Sequence, residues 1–288
     1  MFVCCKRVIV EDNNNTNLNK NDFQFYSEKP IFQGSFGKVI PCIHKSTHKK
    51  FVAKILTKNV ASLQEAKIYS SLSHKNIGNC IGFFTEKDKI YIISVKYRKD
   101  LYEIIMEHGG KIRDEQKVVY YVKQLLEGLN YIRSNNLIHR DIKLSNIMID
   151  KTNTLKIIDF GSSKYIDELY NDTLIGTPGF FSPESILGIY SENCDMWSVG
   201  CVIFTMLFGF NPFNPNSKLK LEKILENTMK GFDPEVKDGF GAFFPKSIPI
   251  SKEAMDFLAN ILVMDPKIRM TPDECLSHKW LTKDDLKQ

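Results

Sequence analysis

The 288-residue chain has no apolar stretch long enough to cross a bilayer. Its longest, Val199 to Phe210, runs about a dozen residues, where a spanning helix needs roughly 20. It also lacks a strong excess of one charge: Lys and Arg number 39 against 34 Asp and Glu. The resulting +5 suits a small anionic ligand such as a nucleotide but builds no field for nucleic acid. The seven cysteines, Cys4, Cys5, Cys42, Cys80, Cys194, Cys201 and Cys275, are odd in number and show no CxxC spacing. That argues against a disulfide framework or zinc site and predicts a cytoplasmic setting, with the nucleus also open. No repeat in the roughly 20 to 50 residue range occurs, and an asparagine run is the one low-complexity tract. The opening Met1-Phe2-Val3-Cys4-Cys5-Lys6-Arg7 has no charge before its apolar residues and no glycine at position 2, so neither a secretory leader nor myristoylation is expected. Cys4-Cys5 reads as two buried residues of an added strand, with palmitoylation as the alternative.

What is present is ordinary globular material, 43% hydrophobic and 25% charged, enough for a large core. Residues 1–22 form an extension whose asparagine-rich part, 11–22, has too little apolar content to repay ordering and is expected to be a mobile loop. From Phe23 to about Ile93, short β-branched and aromatic runs are broken by Gly, Pro and Asn, with one helical patch over 61–72. Beyond Asp100 the spacing turns helical: Val118, Val119, Val122, Leu125, Leu126, Leu129 and Ile132 recur every three or four positions, an inward-facing stripe. The expected organisation is a β-rich part over about 23–96, a mostly α part over about 97–281 and a tail at 282–288.

Several short runs group glycines, charged residues and amides in a fixed order along the chain. Ile31-Phe32-Gln33-Gly34-Ser35-Phe36-Gly37-Lys38-Val39 is a glycine-bearing run in hairpin context. Phe51-Val52-Ala53-Lys54-Ile55 sets a lysine among strand residues, and Glu65 follows on the helical patch. Ile138-His139-Arg140-Asp141-Ile142-Lys143-Leu144-Ser145-Asn146-Ile147-Met148 and Ile157-Ile158-Asp159-Phe160-Gly161 concentrate acid, base and amide groups. Gly176-Thr177-Pro178-Gly179-Phe180-Phe181-Ser182-Pro183-Glu184, Asp195-Met196-Trp197-Ser198-Val199-Gly200 and Arg269 complete the series.

The ordered set resembles the protein kinase catalytic domain from Phe23 to Leu281. That resemblance implies an α+β, two-lobed fold, with a small antiparallel β-rich lobe bearing one helix and a larger, mostly α lobe. It implies ATP and Mg²⁺ as cofactors, a protein substrate, and a monomer. Asp141 would take the proton of the substrate hydroxyl, Lys143 would neutralise the γ-phosphate, and Thr177 would mark hydroxyl-amino-acid specificity. Asn146 and Asp159 would be the metal ligands, and Lys54, paired with Glu65, would hold the α and β phosphates. The glycine-rich loop would bring Gly34, Ser35, Phe36 and Gly37 to the phosphates, although Phe32 stands where the family usually has its first glycine. Ile31, Val39, Val52 and Met148 would sandwich adenine, with Val95 and Tyr97 binding it through their backbone and Ser94 as a small gatekeeper. Glu184, Asp195 and Arg269 would be structural, Ser182 replacing the usual alanine before Pro183-Glu184. Arg140, unpaired beside Asp141, would receive a phosphate placed on Thr173 by an upstream activating kinase. Ser145 replaces a glutamate of arginine-directed relatives, and Asp100 could offer a carboxylate to a basic substrate side chain.

Within the family, Asp265-Pro266-Lys267-Ile268-Arg269-Met270-Thr271 and His278-Lys279-Trp280 look most like the calcium/calmodulin-dependent group, although no EF-hand loop occurs. A pseudokinase scaffold would lack at least one of Lys54, Asp141, Asn146 and Asp159, and all four are present. A small-molecule kinase fits less well with the 176–184 segment. A dinucleotide-binding oxidoreductase would want its glycines at a strand-to-helix turn.

Overall fold

The computed structural model of the protein describes residues 18–26, 28, 30–34, 37–169 and 174–282. The chain divides into two compact units. One holds the residues up to Ser70 together with Cys80–Lys96, and the other holds Ser71–Asn79 together with the residues from Tyr97.

The smaller unit contains strands β1 (Phe23–Phe25), β2 (Phe32–Gly34), β3 (Gly37–His44) and β4 (Lys50–Thr57), helix α1 (Val60–Ser71), and strands β5 (Cys80–Glu86) and β6 (Lys89–Val95). The sheet runs β1-β3-β4-β6-β5, with β2 on β3, and every pairing is antiparallel. Side chains alternate along a strand, and directly opposed residues share a face, so register sorts this sheet into two surfaces. One carries Phe23, Ile40, Cys42, Phe51, Ala53, Phe84, Tyr91 and Ile93, a buried cluster with Leu18, Phe25, Ile55, Ile81 and Val95 packed against it. The pairs Val39↔Lys54 and Val52↔Ser94 lie on the other.

The asparagine-rich stretch departs from the expected loop where it is described. Asn19 caps a single 3-10 turn, Lys20–Asp22, accepting from the Asn21 N–H at 2.9 Å while the Asp22 carboxylate accepts from the Asn19 N–H at 3.1 Å. Lys20 pairs with Glu86 at 2.7 Å. Short polar side chains make poor cores but good caps, because they reach their own backbone. The rest of that stretch, with Cys4 and Cys5, lies outside the described residues.

The sequence placed about 23–96 in the β-rich part, yet 71–79 belongs with the larger unit. Asn76 explains this. It is fully buried, its Nδ2 donates to Leu155 O and Gln124 Oε1, both at 3.2 Å, and its carbonyl accepts from Ile157 N at 2.8 Å. His74 adds a ring stacked 4.9 Å from Tyr131.

The larger unit continues with β7 (Lys99–Asp100), α2 (Leu101–Glu107), α3 (Glu115–Ser134), β8 (Leu137–Ile138), β9 (Ile147–Ile149), β10 (Leu155–Ile157) and β11 (Lys164–Tyr165). After these come α4 (Pro183–Ile186), α5 (Cys194–Phe208), α6 (Leu221–Lys230), β12 (Asp233–Lys237), β13 (Phe243–Pro245), α7 (Lys252–Ile261), α8 (Pro272–Leu276) and α9 (Lys279–Thr282). Helix α3 starts at Asp114, whose carboxylate accepts from Gln116 and Lys117, and it buries the predicted valine-leucine stripe. Helix α5 is buried on every side, as its largely apolar sequence requires, with Asp195, Ser198 and Thr205 as its buried polar residues. Among the described residues no helix is long and apolar enough to cross a membrane.

Candidate active site

Two short antiparallel ladders bring the chemical groups of the larger unit together. β9 pairs with β10, and β11 returns to pair with β8 through Lys164↔Ile138, so the turns 139–146 and 158–163 lie side by side. Asp195, in the first turn of α5, holds the first turn: Oδ2 accepts from His139 N at 2.7 Å and Oδ1 from Arg140 N at 2.8 Å. This clamp supports backbone strain, since Arg140 (φ 65°) and Asp159 (φ 66°) both occupy the left-handed region that side chains disfavour. His139, fully buried, joins the turns by placing Nε2 3.0 Å from Ile158 O and its ring edge-on to Phe160 at 5.1 Å. In the sequence His139 carries no signal of this role beyond its place inside the 138–148 run.

Asp141 is the hub. Its Oδ2 accepts from Lys143 Nζ at 2.8 Å and from Asn146 Nδ2 at 3.0 Å, while Oδ1 accepts from Thr177 Oγ1 at 2.7 Å. Lys143 also donates to Thr177 Oγ1 at 2.8 Å, closing a ring of three side chains. Charge-assisted bonds of this kind fix the carboxylate in one orientation. The Asn146 amide also reaches Asp141 O at 2.8 Å, and its backbone carbonyl accepts from Ile158 N, beside Asp159.

In the smaller unit Lys54 Nζ lies 2.6 Å from Glu65 Oε1, an ion pair whose carboxylate is 7% exposed. Lys54 shares its sheet face with Val39, Val52 and Ser94. Ile31 donates its N–H to Val39 O at 2.8 Å and stays exposed. Gly37 turns into β3 with φ +110°, and a Cβ there would meet Ile55 O at 2.5 Å, so this position tolerates only glycine. Gly34 opposes it across the hairpin, whereas Ser35 and Phe36 lie outside the described residues. Val95 ends β6, half-buried.

In the larger unit Met148 sits on β9 opposite Lys156 and Asp100. Tyr97 turns its hydroxyl to accept from Asn79 N at 2.9 Å, and burial raises its phenol pKa. Asp100, offered from the sequence to a basic substrate side chain, is engaged instead: it caps α2 by accepting from Glu103 N at 2.8 Å.

Two further expectations change. Arg140 is not the unpaired cation the sequence suggested: Nε donates to Ser162 O at 2.6 Å, and the guanidinium lies 5.2 Å over the Tyr190 ring. The aromatic and carbonyl partners come from chain segments that no spacing rule connects to position 140. Thr173, the residue assigned to meet it once phosphorylated, lies outside the described residues. Ser182, the departure from alanine, has a local function, capping α4 by accepting from Ser185 N at 3.4 Å ahead of Pro183 at the first helical position. Glu184 and Arg269 form a bidentate buried pair at 2.7 and 3.0 Å.

Comparison with known proteins matches residues 25–281 to the protein kinase domain family. The chain is similar to calcium-dependent protein kinase 4 of Plasmodium berghei, 30% identical over 291 residues covering 93% of this chain and 51% of that protein. It is similar to the smooth-muscle myosin light chain kinase of Gallus gallus, 31% identical over 268 residues, 89% of this chain and 13% of that protein. An Aurora kinase of Encephalitozoon cuniculi is 30% identical over 267 residues, covering 87% of this chain and 91% of that protein. The chain thus spans about half the length of the calcium-dependent kinases it matches.

Proposed function

Because the chain belongs to the protein kinase domain family, we propose that it transfers the γ-phosphoryl group of ATP to serine or threonine hydroxyls of a protein substrate. The observation that carries this most directly is the Asp141 carboxylate, oriented at once by Lys143, Asn146 and Thr177. A carboxylate so held can accept a proton in one direction while the adjacent ammonium receives phosphate charge. In the transfer, the substrate oxygen forms a bond to the γ-phosphorus, the bond from that phosphorus to the β–γ bridging oxygen breaks, and ADP leaves. The hydroxyl proton passes to Asp141, Lys143 offsets charge on the moving phosphoryl group, and Lys54, held by Glu65, contacts the α and β phosphates.

Magnesium fits the donor set. Asp159 offers a carboxylate, and Asn146, whose two side-chain hydrogen bonds to Asp141 are made by its amide nitrogen, offers an amide oxygen; both are the hard ligands this cation prefers. Once bound, the ion would neutralise charge on the β and γ oxygens.

Thr177 supports hydroxyl-amino-acid specificity, because it contacts both Asp141 and Lys143 at the point where an acceptor must arrive. A cytoplasmic setting is part of the same proposal, supported by the free thiols at Cys42, Cys80, Cys194, Cys201 and Cys275.

The test is transfer of labelled γ-phosphate from MgATP to a degenerate peptide array. Label on serine and threonine is expected; label confined to tyrosine, or none above background, sinks the proposal. Lys54→Met should also lower kcat/KM by about tenfold to a hundredfold, because one charged donor to the phosphates is lost and Glu65 is left buried without its ammonium partner. Unchanged kinetics in that variant would remove Lys54 from the mechanism.

A further inference from the structure

Tyr190 sits in the loop between α4 and α5, in none of the runs that carry the chemistry, and nothing local in the sequence singles it out. Its contacts are unusual for a loop tyrosine. The hydroxyl accepts from Ile175 N at 2.8 Å and donates to Ile175 O at 3.2 Å, gripping both backbone groups of one residue. The face of its ring lies against the Arg140 guanidinium, 5.2 Å from centroid to carbon. One side chain therefore touches the residue just before Asp141 and the residue two before Thr177.

Between Ile175 and Thr177 stands Gly176, with φ +124°, where a Cβ would come within 2.7 Å of Arg140 O. The Thr177 segment thus crosses the Arg140 backbone at a distance only glycine permits, so its register along that crossing sets where Thr177 lies. The two-point bond from Tyr190 to Ile175 supplies that register. The Thr177 Oγ1 contacts, 2.7 Å to Asp141 and 2.8 Å to Lys143, depend on it, since hydrogen bonds lose strength steeply once distance and angle drift. Arg140, anchored through N to Asp195 and through Nε to Ser162, gives the ring a fixed surface to rest on.

We infer that Tyr190 is a positioning residue for phosphoryl transfer, acting through Ile175 to hold Thr177 against Asp141 and Lys143. The inference rests on the proposed kinase activity and deepens it. Because it works through Thr177, Tyr190 should govern the engagement of the acceptor peptide and leave the nucleotide alone.

The test compares wild type with Tyr190→Phe, which keeps the ring on Arg140 and removes only the hydroxyl. In Tyr190→Phe, kcat/KM for peptide should fall about tenfold, the scale of a lost hydrogen-bonded anchor, while KM for ATP stays within about twofold. Hydrogen exchange of the 174–178 segment should quicken about tenfold or more, with α5 unchanged. In a Thr177→Ala background the same Tyr190→Phe change should have little further effect on kcat/KM, because two residues acting on one contact are not additive. Unaltered exchange at 174–178 overturns the inference whatever the activity. So does an equal loss in both backgrounds, which marks a general structural role. A wild type without transfer activity defeats the proposed function and, with it, the catalytic consequence drawn for Tyr190. An active wild type whose Tyr190→Phe variant keeps its peptide kinetics defeats this inference alone.

Discussion

Asp141→Asn is expected to lower kcat by about 10²- to 10⁴-fold, the usual share of a general base, with KM for ATP nearly unchanged. The substitution keeps the shape of the side chain, so its effect is chemical. One oxygen that accepts from Lys143 and Asn146, or the one that accepts from Thr177, becomes an amide nitrogen that can only donate. Three donors then share one remaining acceptor, and no group is left to take the hydroxyl proton. The same variant should keep its fold, because the carboxylate is only partly buried and Lys143 retains its bond to Thr177. Single-turnover transfer to peptide, beside a melting curve and a nucleotide-binding titration, separates these effects. A folded Asp141→Asn protein retaining more than about a tenth of wild-type kcat would remove Asp141 as the base.

Arg269→Ala should act in the opposite way, destabilising the larger unit by about 3–5 kcal/mol while leaving chemistry intact in whatever protein remains folded. The guanidinium is 1% exposed and saturated. It meets Glu184 at 2.7 and 3.0 Å, Asn193 O at 2.9 Å, Val263 O at 3.0 Å and Met264 O at 3.3 Å, and lies 5.3 Å over the Trp197 ring. Truncation leaves Glu184 a buried carboxylate that accepts from Ser191 Oγ at 3.1 Å but has lost its countercharge, and it exposes three carbonyls to a cavity. For a unit of this size the melting temperature should drop by about 10 °C or more, followed through the fluorescence of Trp197 and Trp280, both buried in this unit. Arg269→Met combined with Glu184→Gln should lose less than Arg269→Ala, since removing both charges avoids the stranded one. A melting point within about 2 °C of wild type for Arg269→Ala would mean the pair is not what holds α4 to the 263–269 segment.

The parts of the site that spacing alone made legible are those whose partners are near in the chain, whereas Thr177 and the Glu184–Arg269 pair were read through the likeness to protein kinases. Asp141, Lys143 and Asn146 fall within six positions, so their mutual bonds are nearly dictated by one turn. Lys54 and Glu65, eleven apart, are one strand end and one helix face away from each other. The core stripe of α3 and the alternation of β4 were legible for the same reason, since 3.6- and 2-residue periods are local. Arg140 was misjudged because its partners, Ser162 and Tyr190, lie 22 and 50 positions on, and only the folded chain brings a carbonyl and a ring to it. Residues 71–79 were assigned to the wrong unit in the same way: Asn76 bonds to Leu155, 79 positions later.

The amino-acid order by itself determined a β-rich part followed by a mostly α part, because periodicity needs only neighbours, and its ordered motifs carried the likeness to protein kinases that implied the α+β, two-lobed fold. Tertiary structure decided which carboxylate each donor meets, that Asp195 clamps the strained turn at Arg140, and that Tyr190 reaches Ile175. Those contacts depend on the direction and register with which distant segments return to one another. A hydrogen bond is sensitive to tenths of an ångström, whereas a hydrophobic pattern is not.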